Sequence, residues 1–242
     1  MITAMPDKTV FRKEKRGMNM DYQFREVITT VVTELHDGTL SISKNTNHMT
    51  RITVEDAPDN SMRLFAHNST LFVKSLTNHP ADIQLYVPET VKVLRIQGKH
   101  SDIMMTELDL ENITISTTGD CSLHGVKAWK QTDICCEGGD IALQECELSS
   151  MNIQLVNGSL EIWGTRLHGN NMVYASQSSI GGRLRGALVD YVISAGSGIS
   201  PDDVTVNGHL LSEFPDRKNT QEAAWLLLAG KLNGETVLNV AK

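Results

Sequence analysis

One short pattern recurs at near-constant spacing through the middle of the chain. Its anchor residues are Asp102, Asp120, Asp140 and Ser159, which lie 18, 20 and 19 residues apart, and a glycine precedes each of the last three. The first, third, sixth and eighth positions after each anchor are apolar in fifteen of sixteen cases, although only 40% of the chain is hydrophobic. These positions are Ile103, Met105, Leu108, Leu110; Cys121, Leu123, Val126, Ala128; Ile141, Leu143, Cys146, Leu148; and Leu160, Ile162, Thr165, Leu167.

Strand geometry explains this spacing. Offsets one and three share one face of a strand, as do offsets six and eight, and the change from odd to even marks a corner. A coil of parallel strands needs such corners, because each turn bends around a shared interior and stacks about 4.8 Å above its neighbour. The sequence therefore predicts an all-β fold, a single-stranded parallel β-helix or β-solenoid of about 18–20 residues per turn. We expect the glycine before each anchor to supply a positive φ.

Further positions agree with the same register. A third apolar pair precedes most corners, as at Ile134 and Cys136, which indicates three short faces per turn. The seventh position after each anchor is charged and alternates in sign from turn to turn. These residues are Asp109, Lys127, Glu147 and Arg166. We expect them to form an outward column of stacked charges.

The segments on either side of the repeat differ from it. Residues 1–20 predict a disordered polar tail, 21–90 an N-terminal antiparallel β segment with a hairpin at Asp37-Gly38, and 91–211 the regular turns, so that 21–211 form one solenoid domain. Residues 212–242 predict a C-terminal cap. Asn219 and Glu222 form a capping box ahead of the apolar run from Ala223 to Leu228, which favours a short helix, and Asn233-Gly234 favours a hairpin as the alternative.

Composition excludes several function classes. The formal net charge of −7 predicts that the chain does not bind nucleic acid. No run approaches the length of a membrane span and no secretory signal is visible, so we expect no membrane insertion and a cytoplasmic location. The four cysteines lack metal-site spacing, which predicts reduced thiols, no metal and no cofactor.

The stretch from about Phe24 to Val206 resembles the bacterial putative-adhesin family of unknown function, which is related to the head domains called GIN. The resemblance rests on the early alternating strands, the segment Ile83 to Pro88, and the Gly-Asp-x-x-Leu motif at Gly119 to Leu123 and at Gly139 to Leu143. It implies a β-solenoid and a binding role at the cell surface. It offers no catalytic residues.

Candidate functional residues are few. No nucleophile elbow, phosphate loop, dinucleotide motif or metalloprotease helix is present. The column Asp102, Asp120 and Asp140 could bind calcium or flank a glycosidic bond, but an aspartate after glycine more often caps a corner by bonding to its own backbone. Aromatic and basic residues off the buried columns suit sugar or peptide recognition. They are Trp129, Trp163, Arg166, Arg183 and Arg185.

These observations favour a non-enzymatic, adhesin-like interaction or scaffolding module that presents a regular β surface to a protein or carbohydrate partner. Two alternatives stay open. The first is a carbohydrate-active β-helix enzyme, a lyase or hydrolase, and the second is a self-assembling solenoid that forms homo-oligomers through its ends.

Overall fold

The computed structural model describes residues 10–16, 19–55, 58, 61–214, 223–233 and 235–241, and these contain 23 β-strands and three short 3-10 helices. The strands of the N-terminal segment are β1 Val10–Arg16, β2 Asn19–Phe24, β3 Thr30–Leu35, β4 Gly38–Lys44, β5 Thr50–Glu55, β6 Met62–His67, β7 Thr70–Ser75 and β8 Ala81–Val87. Those of the regular turns are β9 Val93–Gly98, β10 Ser101–Thr106, β11 Asp109–Thr117, β12 Cys121–His124, β13 Lys127–Glu137, β14 Ile141–Gln144, β15 Glu147–Ser149, β16 Met151–Val156, β17 Ser159–His168 and β18 Asn170–Arg185. The C-terminal strands are β19 Tyr191–Ala195, β20 Val204–Val206, β21 His209–Leu210, β22 Ala224–Leu232 and β23 Thr236–Ala241, and the 3-10 helices span Leu188–Asp190, Pro201–Asp203 and Leu211–Glu213.

The predicted parallel β-solenoid is confirmed. Ile103 pairs with Cys121, Cys121 with Ile141, and Ile141 with Leu160, so the first offset stacks in register through four turns. All sixteen repeat positions are at most 3% exposed, and Thr165, the one polar member, is fully buried. Successive turns therefore share one continuous apolar interior.

Each regular turn has three faces. We call face A the sheet that contains β10, β12 and β14, and face B the sheet that contains β9 and β16. A short third face, which we call face C, is formed where the start of β13 pairs with β15. Faces A and C meet at the corner predicted between offsets three and six, where Glu107, Gly125, Glu145 and Gly164 all have φ between 53° and 62°.

The role predicted for the glycine before each anchor is wrong. The positive φ lies one residue earlier, at Gly138 (93°) and Asn157 (56°), whereas Gly139 and Gly158 are not in the left-handed region. Glycine is needed there for a different reason. A Cβ on Gly139 would lie 2.3 Å from the carbonyl oxygen of Gly119, and one on Gly158 would lie 2.0 Å from that of Gly139. The glycines thus stack backbone on backbone.

The N-terminal segment is antiparallel in part, as predicted, but the Asp37-Gly38 hairpin is wrong. Strands β3 and β4 do not pair with each other: β3 pairs in parallel with β7 and β9, and β4 with β8 and β10. Gly38, at φ 104°, turns the chain from face B to face A, where the apolar residues of β4 are buried by neighbouring turns. Antiparallel pairing occurs instead between β1 and β2, β2 and β5, β5 and β8, and β6 and β7.

The polar tail predicted for residues 1–20 differs from the structure at Val10–Arg16. This stretch forms β1, which pairs antiparallel with β2 and so extends face A. A sequence rich in charge is compatible with such a strand, because charged residues are common on edge strands and discourage further pairing. Residues 1–9 lie outside the described part of the chain.

The predicted C-terminal helix is also wrong. Ala224–Leu232 is a strand, in which Ala224, Leu226 and Leu228 are buried while Trp225 and Leu227 are exposed. Pairing with β18 on one side and β19 on the other outweighs the helix propensity of alanine and leucine. The hairpin alternative fails as well, because β22 and β23 each pair in parallel with β18 on different faces. The capping box at Asn219 and Glu222 lies outside the described residues.

Both ends of the solenoid share one topological feature. The turn made by β22 and β23 lies between β18 and the turn made by β19 and β20, although it comes last in the chain. At the other end, the turn of β3 and β4 lies between those of β7 and β8 and of β9 and β10. At each end, one turn is therefore inserted between two turns that follow each other in the chain. End-to-end association of copies stays a prediction.

Candidate functional site

The acidic column on face A has a structural role in this molecule. Asp102 accepts a hydrogen bond from the backbone N–H of Asp120 at 2.9 Å, and Asp120 accepts one from that of Asp140 at 2.9 Å. Asp140 accepts bonds from both the backbone N–H and the hydroxyl of Ser159, at 2.7 and 2.9 Å. Each carboxylate therefore accepts a hydrogen bond from the next turn. The expectation that it bonds to its own backbone is wrong.

We expect loss of one carboxylate to weaken the stack modestly. In Asp140→Ala the amide and hydroxyl of Ser159 lose their acceptor, and the free energy of unfolding should fall by about 1–2 kcal/mol. Asp140→Asn keeps a carbonyl acceptor and should lose less than half of that. Urea unfolding of the three proteins measures the difference, and an unchanged midpoint for Asp140→Ala would show that the column does not couple the turns.

The predicted column of alternating charges is in register. Asp109 pairs with Lys127, Lys127 with Glu147, and Glu147 with Arg166. Glu147 lies 3.8 Å from the Lys127 ammonium and 2.8 Å from the Arg185 guanidinium. These pairs are partly exposed and contribute little to stability. Arg166 is exposed in this column, and Arg185 is held toward it by Glu147.

Trp129 lies beside the same column. Its indole N–H donates to Asp109 at 2.8 Å, and the Lys127 ammonium lies 5.7 Å from its ring centre. The side chain is 48% exposed, which agrees with its expected position off the buried columns. The structure does not place it with the other candidate tryptophan.

Trp163, Arg183 and Arg185 come together on face A. Trp163 is 55% exposed and pairs in register with Arg183, and all three residues line one hollow of about 220 Å³. Trp163 and Arg183 also line a second hollow of about 560 Å³, whose floor includes Gly181 and Gly182. Three of the five residues selected from the sequence therefore lie around one groove, which we call the Trp163 groove.

Face B carries an apolar surface that the sequence did not reveal. Met172, Tyr174, Trp225 and Leu227 are exposed by 37–47%. Met172 pairs in register with Leu227, and Tyr174 and Trp225 lie two residues away on the same strands. We call these four residues the face B patch. The available signal is the alternation in the run Ala224 to Leu228, but the same apolar run also fits a short helix.

A cavity lies next to this patch at the C-terminal end of the solenoid. Its volume is about 300 Å³, and its lining includes Tyr191, Val192, Leu211, Phe214 and Trp225. Leu211 and Phe214 pack against the core from the short helix that follows β21. Trp225 therefore belongs both to the outward patch and to the rim of this apolar cavity.

The cysteines are reduced and mostly buried. Burial raises the pKa of the Cys136 thiol to about 11 and also raises the pKa of Cys121 and Cys146. Such thiols are protonated and unreactive at neutral pH. Among the described residues, no group of three His, Cys, Asp or Glu side chains could hold a metal ion. In the same part of the chain, no helix is long and apolar enough to span a membrane.

Several solved structures match this chain along most of its length. A putative adhesin from Bacteroides fragilis is 16% identical, with 93% of this chain and 98% of that chain covered and a TM-score of 0.39. A putative adhesin from Parabacteroides merdae is 8% identical, with 93% and 97% covered and a TM-score of 0.41. A putative lipid binding protein from Parabacteroides distasonis is 10% identical, with 92% and 97% covered and a TM-score of 0.40. No curated protein gives a significant match.

The family resemblance inferred from the repeat is confirmed by a direct comparison with family profiles. The profile described as Toastrack DUF4097 matches residues 2–185, which include the N-terminal strands and the turns through β18. The match covers well over half of the sequence, and the chain belongs to the Toastrack DUF4097 family.

Proposed function

We propose that this chain is a non-enzymatic interaction module that binds a protein partner through the face B patch. The observation that carries the proposal is the contiguous exposure of Met172, Tyr174, Trp225 and Leu227 on a parallel sheet. Soluble proteins rarely expose apolar side chains in contiguous groups unless the surface binds something.

The patch is local to the C-terminal turns. In the column of Tyr174, the residues one to three turns earlier are Gln154, Cys135 and Ser116. In the column of Met172 and Leu227 they are Asn152, Asp133 and Thr114. From Thr114 onward, this column therefore becomes apolar only at β18 and β22.

Charge and residue type indicate the chemistry of the partner. Outward neighbours of the patch on β18 and β19 are Asn170, Ser176 and Ser194, all uncharged, and Lys231 lies at its margin. Aromatic residues and methionine surrounded by neutral polar residues are typical of the core and rim of a protein interface. The partner is therefore expected to present an uncharged apolar surface of its own.

Trp225 and Leu227 lie beyond residue 185, where the family match ends. The cavity of about 300 Å³ beside Trp225 offers a recess that an anchoring side chain of the partner could enter.

Photo-crosslinking tests the proposal in the native cells. A benzophenone amino acid at position 227 should give one discrete protein adduct, and the same group at position 114, in the same outward column, should not. Against the purified adduct partner, Leu227→Lys should raise the Kd at least 100-fold, whereas Thr114→Lys should leave it within twofold. Equal adducts at both positions, or an unchanged Kd for Leu227→Lys, would reject the patch as the binding surface.

A further inference from the structure

The Trp163 groove on face A is a second surface with a different chemistry. One outward column contains Gln144, Trp163, Arg183 and Asn239, which pair in register across four strands. Trp163 is the only aromatic member of this column among those four residues, and it is 55% exposed. An exposed tryptophan between an amide and a guanidinium places an apolar ring among planar hydrogen-bonding groups.

The neighbouring outward column has one position without a side chain. It contains Glu161, Gly181 and Val237 in register. A Cβ on Gly181 would meet only the carbonyl oxygen of Val237, at 3.7 Å, so this position is open. Gly182 differs, since a Cβ there would lie 1.9 Å from the carbonyl oxygen of Ile162. Gly182 is thus required by the fold, whereas Gly181 leaves a hollow beside Trp163.

The polar groups around the hollow carry charges of both signs. Arg183 and Arg185 line it together with Gln144 and Glu145, and Glu147 bonds to Arg185 at 2.8 Å. Glu161 lies two residues before Trp163 on the same outward side. Three carboxylates therefore accompany the two guanidinium groups, and a strongly anionic or cationic ligand would meet repulsion from one set.

We infer that the Trp163 groove binds a neutral saccharide. A pyranose ring has a C–H face that packs on an indole ring, and a rim of hydroxyl groups that both donate and accept hydrogen bonds. Amide, carboxylate and guanidinium side chains together supply both roles, with orientation fixed by their planar groups. The open position at Gly181 leaves room for a ring to lie flat beside Trp163. This site is on a different face from the patch of the proposed function and does not depend on it.

Indole N–H resonances provide a direct test, because the chain contains three tryptophans and the signals are assigned by single substitutions. The full chain is titrated with neutral linear hexasaccharides of glucose, mannose and N-acetylglucosamine. For at least one of them, the Trp163 signal should shift in a saturable way, while the signals of Trp129 and Trp225 should stay in place.

Two variants make the result specific. Gly181→Leu fills the hollow. Because Gly181 does not have a positive φ and its Cβ would point outward, the unfolding midpoint should be kept, while binding should weaken at least tenfold. Trp129→Phe is the matched aromatic control and should bind as the parent does. The inference is overturned if no hexasaccharide gives a saturable Trp163 shift, if Gly181→Leu binds equally well, or if an uncharged hexapeptide produces the same response.

Discussion

Leu143→Asp should abolish folding of the whole solenoid. Leu143 is fully buried and stacks in register between Leu123 of the preceding turn and Ile162 of the next. The substitution removes an apolar contribution of about 1.5–3 kcal/mol and places an unpaired carboxylate in the interior. The combined cost of at least about 5 kcal/mol equals much of the net stability of a typical domain.

Far-UV circular dichroism and soluble yield measure this outcome. Leu143→Met conserves volume and should cost less than about 1.5 kcal/mol. Lys127→Ala removes an exposed ammonium 3.8 Å from Glu147 and should change stability by less than about 0.5 kcal/mol. A folded, cooperatively unfolding Leu143→Asp protein would mean that this offset does not face the core.

The central turns could be predicted from the sequence because each of their residues repeats one environment. Ile103, Cys121, Ile141 and Leu160 occupy the same place in successive turns. A register wrong by one residue would turn all four side chains from the core to solvent, so their shared apolar character fixes the register. The corner between offsets three and six follows from the same arithmetic. Periodicity of this kind states both the register and the inward face.

The fifth turn shows where that arithmetic fails. In the sequence, Leu184, Ala187 and Val189 stand at the third, sixth and eighth positions after Gly181, which predicts a fifth anchor there, 22 residues after Ser159. The structure instead pairs Ser159 with Ser179. A bulge between Trp163 and Thr165 shifts the register, so Leu184 pairs with Thr165. One extra residue in a strand is invisible to a pattern that assumes fixed offsets. The hollow at Gly181 could not be foreseen for the same reason.

The order of turns at the two ends could not be predicted either. Strands β22 and β23 have the alternation of ordinary solenoid strands, but nothing local indicates that they lie between β18 and β19. Such an insertion depends on which free sheet edge each strand meets, which is a long-range property of the folded stack. The face B patch depends on it, because Met172 and Leu227 become neighbours only through this pairing.

Gly139→Ala should destabilise the solenoid more than its size suggests. The added Cβ would lie 2.3 Å from the carbonyl oxygen of Gly119 and 2.9 Å from the amide nitrogen of Asp120. Both contacts are with backbone atoms of the preceding turn, so no side chain can rotate away. Separating the two turns would also lengthen the bond from the Asp140 amide to the Asp120 carboxylate. We expect a loss of about 3 kcal/mol or more in the free energy of unfolding.

Gly138→Ala is the matched control, since it adds the same methyl group one residue away. Gly138 has φ 93°, and a Cβ added there would meet nothing within 4 Å, so its substitution tests backbone conformation without any clash. It should cost about 1–2 kcal/mol, which is the usual penalty for a residue with a side chain in that region. Urea unfolding of both variants separates the two effects. If Gly138→Ala proves the more damaging, the close approach of backbones at Gly139 is not the main reason for glycine at this corner. The positive φ of Gly138 is then the stronger constraint.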